Sequence, residues 1–230
     1  MVKTTTDPLK TLGLLRRWLA MAVAPEALAW IGLEIERQLD GPDDRRLVTA
    51  LGLAGRKLRR AELSLPADEL AAAQDLCPGW RPQYWATDEI GRAALLLATH
   101  HNDDAAFAAR LENLCLTAET TEHVCYMKGL AIFPAGGQLV RPARQGVRSS
   151  IAPIFRAVAC HNPFPRNQFD IDAWNQMVVK CVFEGAPIDD VVGLHERRNP
   201  ELLIMLRDLV AERHAAARPL PQAVHRFIEG

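Results

Sequence analysis

Asn199-Pro200-Glu201-Leu202-Leu203-Ile204-Met205-Leu206-Arg207-Asp208-Leu209-Val210 opens with a capping side chain, a first-turn proline and an acid where the helix dipole favours negative charge. Behind that start, Leu202, Met205, Leu206, Leu209 and Val210 keep the i, i+3, i+4, i+7, i+8 spacing of one helical face. The same spacing recurs along almost the whole chain, and no stretch alternates as a strand between turn signals. Helices are expected over about 7–23, 25–40, 43–60, 66–77, 87–101, 103–117, 119–130, 143–161, 171–184, 200–217 and 219–228. Pro8, Pro25 and Pro66 suit a first turn as Pro200 does. The links are short, which implies antiparallel helical hairpins. The expected fold is all-α, a single domain over 1–230, with the hairpins stacked as a bundle or as a curved HEAT-like array. No clean repeat of 20–50 residues accompanies it.

Two connections are longer. Residues 77–85 hold Trp80, Tyr84 and Trp85, and residues 133–142 are rich in Gly and Pro. Both are expected to pack onto the helices rather than to act as lids.

Composition excludes several classes. The chain of 230 residues carries 27 Lys+Arg against 28 Asp+Glu, a net charge of -1, with 49% hydrophobic residues. A disordered chain would combine low hydrophobicity with high net charge. Binding nucleic acid through bulk charge would need a strongly basic chain, and the pI is near 6.7. The longest run free of Asp, Glu, Lys and Arg covers 129–140, short of the roughly 20 residues a membrane span requires. Arg16-Arg17 precedes an apolar run, but Pro25 and Glu26 cut it too early for a secretory leader. Five cysteines without a Cys-x-x-Cys pair are expected to be reduced, mostly buried thiols of a cytoplasmic protein.

The densest chemistry lies in His161-Asn162-Pro163-Phe164-Pro165 and Ala173-Trp174-Asn175-Gln176-Met177. On a helical wheel Trp174, Met177, Val178, Cys181 and Val182 form one stripe that Val179 and Phe183 extend, so this helix is expected to be buried over most of its surface. Asn175 falls inside that apolar arc. A buried amide without partners costs about 1–3 kcal/mol, so Asn175 is expected to bond a loop backbone, with 161–165 the nearest, or a ligand. Arg144 and Arg148 lie one turn apart with Arg156 beyond them, a spacing that can clamp a phosphate or carboxylate but fits a solvated face better. The candidate ligand-binding set is Arg148, His161, Asn162, Asn175, Gln176, Lys180, His195 and Arg198.

Arg45, Arg46, Arg56, Lys57, Arg59 and Arg60 face away from Leu47, Leu51, Ala54 and Leu58, giving a basic amphipathic helix that fits an anionic surface or simply solvent. No metal or cofactor is expected. Glu119, Glu122 and His123 lack the second Glu-x-x-His of a di-metal bundle, and His195 lacks the second His of a zincin motif. His100-His101 suits a helix C-terminus. Gly-rich phosphate loops and serine-hydrolase elbows are absent from the sequence.

The strings Asn162-Pro163-Phe164-Pro165, Ala173-Trp174-Asn175-Gln176-Met177-Val178 with Lys180, Gly193-Leu194 and Arg198-Asn199-Pro200-Glu201-Leu202 resemble the bacterial EboA family. Trp80, Trp85 and Lys128-Gly129-Leu130 add to the likeness, which covers roughly 78–218. The family usually has Asp where His195 stands and Arg where Lys128 stands. The resemblance implies a pathway more than a reaction. The ebo operon also encodes a prenyltransferase, a hydrolase, a sugar-isomerase-like protein and a cyclase, and is associated with a prenylated, cyclitol-type metabolite and its export.

The expected role is an accessory protein that binds a pathway small molecule or an enzyme of the operon, with peripheral membrane contact through the 45–60 helix. The alternatives are an enzyme acting on a phosphorylated or prenylated cyclitol through His161, Asn175 and Arg148, and a helical-repeat binder of nucleic acid or another anionic surface.

Overall fold

The computed structural model describes residues 7–218 and 220–230; the expected start of the last helix at 219 lies outside them. The described residues form thirteen α-helices: α1 (Pro8–Ala22), α2 (Pro25–Asp40), α3 (Asp44–Leu58), α4 (Ala67–Leu76), α5 (Thr87–Ala98), α6 (Asp104–Thr117), α7 (Thr120–Gly129), α8 (Val140–Arg148), α9 (Ala152–Ala159), α10 (Phe164–Gln168), α11 (Ile171–Phe183), α12 (Pro200–Ala215) and α13 (Gln222–Glu229). Short 3-10 turns stand at Pro82–Tyr84, Gly136–Leu139 and Ile188–Asp190. Among the described residues there is no sheet, only one antiparallel bridge between Glu62 and Ala86. No described helix is long and apolar enough to cross a membrane.

The caps follow from local chemistry. Asp7 accepts the Leu9 and Lys10 amides, Asp43 the Arg46 amide, Asp103 the Ala106 amide and Asp170 the Ala173 amide, each satisfying a donor that the first helical turn leaves open. Asn199 does the same for Leu202.

Helix α5 is the hub. It packs against α1, α2, α3 and α7; α7 packs on α9, α9 on α8 and α11, α11 on α12, and α12 on α13. All twelve α5 residues are buried, charged first turn included. The buried apolar side chains make one continuous cluster from Leu12 to Phe227. Trp80, from the 77–85 connection, anchors one end of it, 5.2 Å centroid to centroid from Trp18 and 5.7 Å from Trp85. Trp18 Nε1 donates to Glu69 at 2.7 Å, and the Arg17 guanidinium bonds both oxygens of the same carboxylate.

Three expectations need correction. The stretch read as one helix over 143–161 is α8 and α9, separated by Ser149, Ser150 and Ile151. Pro153, in the first turn of α9, cannot donate to a continuing ladder, and its ring crowds the preceding turn, so one helix cannot run through it. The Ser149 hydroxyl accepts the Ile151 amide at 3.1 Å and shapes the break. The five-residue α10 (Phe164–Gln168) begins inside the expected 161–165 loop and has no periodic signal to announce it. Helix α11 buries Ala173, Trp174, Asn175, Met177, Val178, Cys181 and Val182 as its stripe requires, but Phe183 is 58% exposed, with Arg213 stacked 4.7 Å over its ring. The fully enclosed helix is α5.

Candidate functional site

A cavity of about 390 Å³ opens where five segments meet. Tyr84 and Trp85 come from the aromatic connection, and Val124 and Lys128 from α7. Pro153, Arg156 and Ala157 come from α9, Cys160, His161 and Asn162 from the turn behind it, and Pro187 and Asp190 from the 3-10 turn before α12. The size suits a small organic molecule, and most of the wall is apolar or aromatic with a few polar groups converging on it.

His161 is the most constrained of these residues. Its φ is 56°, in the left-handed region that a Cβ disfavours by about 1–2 kcal/mol. The Asp190 carbonyl, accepting the His161 amide at 2.8 Å, helps to hold it there. The imidazole lies flat against the Tyr84 ring, 3.6 Å between centroids and 2° between planes. Its Nε2 stands 3.4 Å from Asp190 Oδ2, while Nδ1 is buried with no hydrogen-bond partner in the chain. Burial holds its pKa below the ordinary value against the opposing charge of Asp190, and the charges of Arg81 and Lys128 push the same way as burial.

The cationic groups differ in how committed they are. Lys128 donates to the Tyr84 carbonyl at 2.8 Å and to Glu89 Oε2 at 2.7 Å, closing the cavity wall onto α5. Arg156 is exposed along its α9 turn and makes no ion pair among the described residues, so its five donors face the cavity mouth unspent.

Of the eight sequence candidates, His161 and Asn162 line this cavity. Asn162 uses its side chain internally: Nδ2 donates to the Met127 and Ala157 carbonyls, both at 2.9 Å, and Oδ1 accepts the Phe164 amide at 3.0 Å. It ties the ends of α7 and α9 to the start of α10. Asn175 does not reach the 161–165 loop. It exchanges two hydrogen bonds with Asn199, at 3.2 and 2.9 Å, and so ties α11 to the cap of α12.

Lys180 donates to the carbonyls of Val147 and Ser149 at 2.7 and 2.8 Å, closing the end of α8. Arg198 donates to the carbonyls of Phe227 and Ile228 at the end of α13. His195 meets the Phe227 ring edge-on at 5.5 Å. Arg148 and Gln176 are exposed and outside the cavity. Arg144 turns to Asp170 at 3.4 Å. His100 pairs with Asp104, His101 Nε2 meets the Gln38 carbonyl, and Glu122 accepts the Glu119 amide.

Tyr84, Asp190 and Cys160 complete the cavity and stand outside the candidate set. The aromatic cluster at 80–85 is a usable signal for the first; nothing in the periodicity marks the other two. On α3, Arg46 lies 3.6 Å from Glu34; Arg60, beyond the end of α3, reaches Asp88 and Glu89. Arg45, Arg56, Lys57 and Arg59 remain exposed and make no ion pair among the described residues.

A family model described as "Metabolite traffic protein EboA" matches residues 11–229, reaching well beyond the strings of 78–218 into the first helix. No curated protein and no solved structure matches.

Proposed function

The chain belongs to the EboA family, and on that premise we propose that it is a non-catalytic accessory protein that holds a small anionic metabolite of its pathway in the Tyr84–Arg156–His161 cavity. One observation carries the reading: a mostly apolar cavity of ligand size whose lining includes an unpaired guanidinium. A ligand with a hydrocarbon or ring body and a phosphate or carboxylate at one end suits it, the body against Trp85, Pro153 and Pro187 and the anion on Arg156. Prenylated and cyclitol-type intermediates have this form.

The test is equilibrium binding of geranyl diphosphate and inositol monophosphate, followed through the fluorescence of Trp85 beside the cavity. At least one probe is expected to bind, and Arg156→Glu to weaken it tenfold or more with the circular dichroism spectrum unchanged. Binding by neither probe, or equal binding by Arg156→Glu, overturns the reading.

The uncommitted cations on and just after α3 extend it. Arg45, Arg56, Lys57 and Arg59 are solvent-exposed cations that suit an anionic lipid surface. Co-sedimentation with phosphatidylserine vesicles at low salt is expected to exceed that with neutral vesicles; equal recovery removes the contact.

The His161–Asp190 pair favours a second reading, an enzyme that moves a proton on the bound cyclitol. His161→Gln separates the two. An accessory protein keeps its pathway contribution as long as the ligand still binds, whereas an enzyme loses product with binding retained.

A further inference from the structure

The cavity lining carries charge of both signs. Arg156, from α9, is its exposed cation, and Asp190, from the 3-10 turn before α12, is the one acid among its described lining residues. The two make no ion pair with each other. Asp190 is fixed through its backbone: its carbonyl accepts the His161 amide at 2.8 Å, and its amide donates to the Pro187 carbonyl at 3.2 Å. Its side chain keeps 32% of its surface exposed, and its nearest ionisable neighbour is His161 Nε2, 3.4 Å from Oδ2. Burial holds the His161 pKa below the ordinary value, so at neutral pH the imidazole does not cancel the Asp190 charge. Lys128, the other cation in the lining, gives donors to the Tyr84 carbonyl and to Glu89.

A carboxylate so placed constrains what can fill the cavity. A ligand body displaces solvent from the Asp190 oxygens, and a wholly hydrocarbon body leaves that charged acceptor without replacement bonds. A body bearing hydroxyls donates to it instead, and such charge-assisted bonds are among the stronger ones. Building on the cavity reading above, we propose that Asp190 is the specificity-determining residue of the cavity and selects a ligand whose ring carries hydroxyl groups, with the ligand's anion held on Arg156. The two charges also orient the ligand, since Arg156 attracts the anion and Asp190 repels it. An ammonium is the other donor that a carboxylate takes. Arg156 and Lys128 line the same walls and oppose a further positive charge, so the hydroxyl is the better donor here.

The test is equilibrium binding of matched probes to the intact chain at pH 7.5. Inositol monophosphate and cyclohexyl phosphate share a ring and a phosphate and differ in the hydroxyls. Apolar walls alone favour cyclohexyl phosphate. The opposite order is expected, with inositol monophosphate bound at least about tenfold tighter, because the analogue without hydroxyls leaves the acceptor unpaired. Asp190→Leu is expected to invert the order, weakening inositol monophosphate about tenfold and strengthening cyclohexyl phosphate. Glucosamine 6-phosphate is expected to bind no tighter than glucose 6-phosphate.

Wild-type binding of cyclohexyl phosphate as tight as that of inositol monophosphate overturns the proposal. So does equal weakening of both probes in folded Asp190→Leu, which would mark a purely structural role, or an order that the substitution leaves unchanged. A tenfold preference for the amine overturns the choice of hydroxyl. In each of these cases, weakening of the bound probe by Arg156→Glu leaves the accessory-protein reading standing. If no phosphate probe binds, that reading fails and the role of Asp190 falls with it. The wild-type order decides the matter if Asp190→Leu does not fold.

Discussion

The first turn of α5 and the turn that follows α9 both place ionisable side chains at low exposure, and they treat them in opposite ways. At α5, Glu89 is fully buried and accepts from Lys128 at 2.7 Å, Arg60 at 3.2 Å and the Ala86 amide at 2.9 Å. Asp88 Oδ2 bonds Arg92, whose Nε donates to the Leu51 carbonyl at 3.1 Å; Asp88 Oδ1 makes no hydrogen bond, but the Arg60 guanidinium stands 3.7 Å from it. Around the turn after α9 the groups are less buried, yet Arg156 is unpaired among the described residues. Depth of burial therefore does not mark the site; an unpaired cation beside a cavity does. If that distinction holds, α5 should be costly to disturb and the cavity cheap. The largest expected effect is Glu89→Ala, which removes the buried acceptor shared by Lys128, Arg60 and the Ala86 amide and should cost about 3 kcal/mol. Urea unfolding measures it, and a loss under 1 kcal/mol would erase the contrast between the two regions.

Asn162 sharpens it, because it lies at the cavity yet belongs in behaviour to the structural class. Truncation leaves the Met127 and Ala157 carbonyls and the Phe164 amide short of a partner, so Asn162→Ala should lose about 2–3 kcal/mol. Tyr84→Ala, on the opposite wall and 49% exposed, should stay within about 0.5 kcal/mol while abolishing probe binding. Equal destabilisation by the two would mean that the cavity is part of the core.

How far the sequence reaches follows the same line. Periodicity finds a helix by the face that it buries, and α12 and α11 stand where their stripes put them. It does not say what that face meets. The buried position of Asn175 was readable from its place between Val179 and Val182, but its partner, Asn199, is 24 residues away and identifiable only once α11 and α12 pack. The cavity draws on segments from Tyr84 to Asp190, and no local pattern links Asp190 to His161; the connection is a backbone hydrogen bond made by the turn itself. Pro153 was in plain view as a helix breaker, and the apolar run on either side of it masked the break. A double-mutant cycle on Asn175→Ala and Asn199→Ala tests the pairing: the coupling should be about 1 kcal/mol, within the range for residues in direct contact. Additive losses would show that the exchange of hydrogen bonds contributes nothing beyond the α12 cap.

The smallest expected effect concerns protons. His161 has a folded pKa below the unfolded value of about 6.5, so between those two values the unfolded chain holds more protons than the folded one. Stability is then complete above about pH 6.5, falls as pH drops toward the folded pKa, and is flat in this residue below it. His123 on α7, lowered by burial alone, contributes with the same sign, so only the difference between wild type and His161→Gln isolates the cavity. Urea unfolding between pH 7.5 and 5.5 should give a shallower slope for His161→Gln. Asp190→Asn decides what the His161–Asp190 contact does. Because the Asp190 charge opposes the burial effect, its removal should lower the His161 pKa further, deepen the acid loss and extend it to lower pH. An unchanged slope in both variants would mean that the imidazole is solvated through the cavity mouth, and that its pairing with Asp190, on which the enzyme reading depends, has no energetic weight.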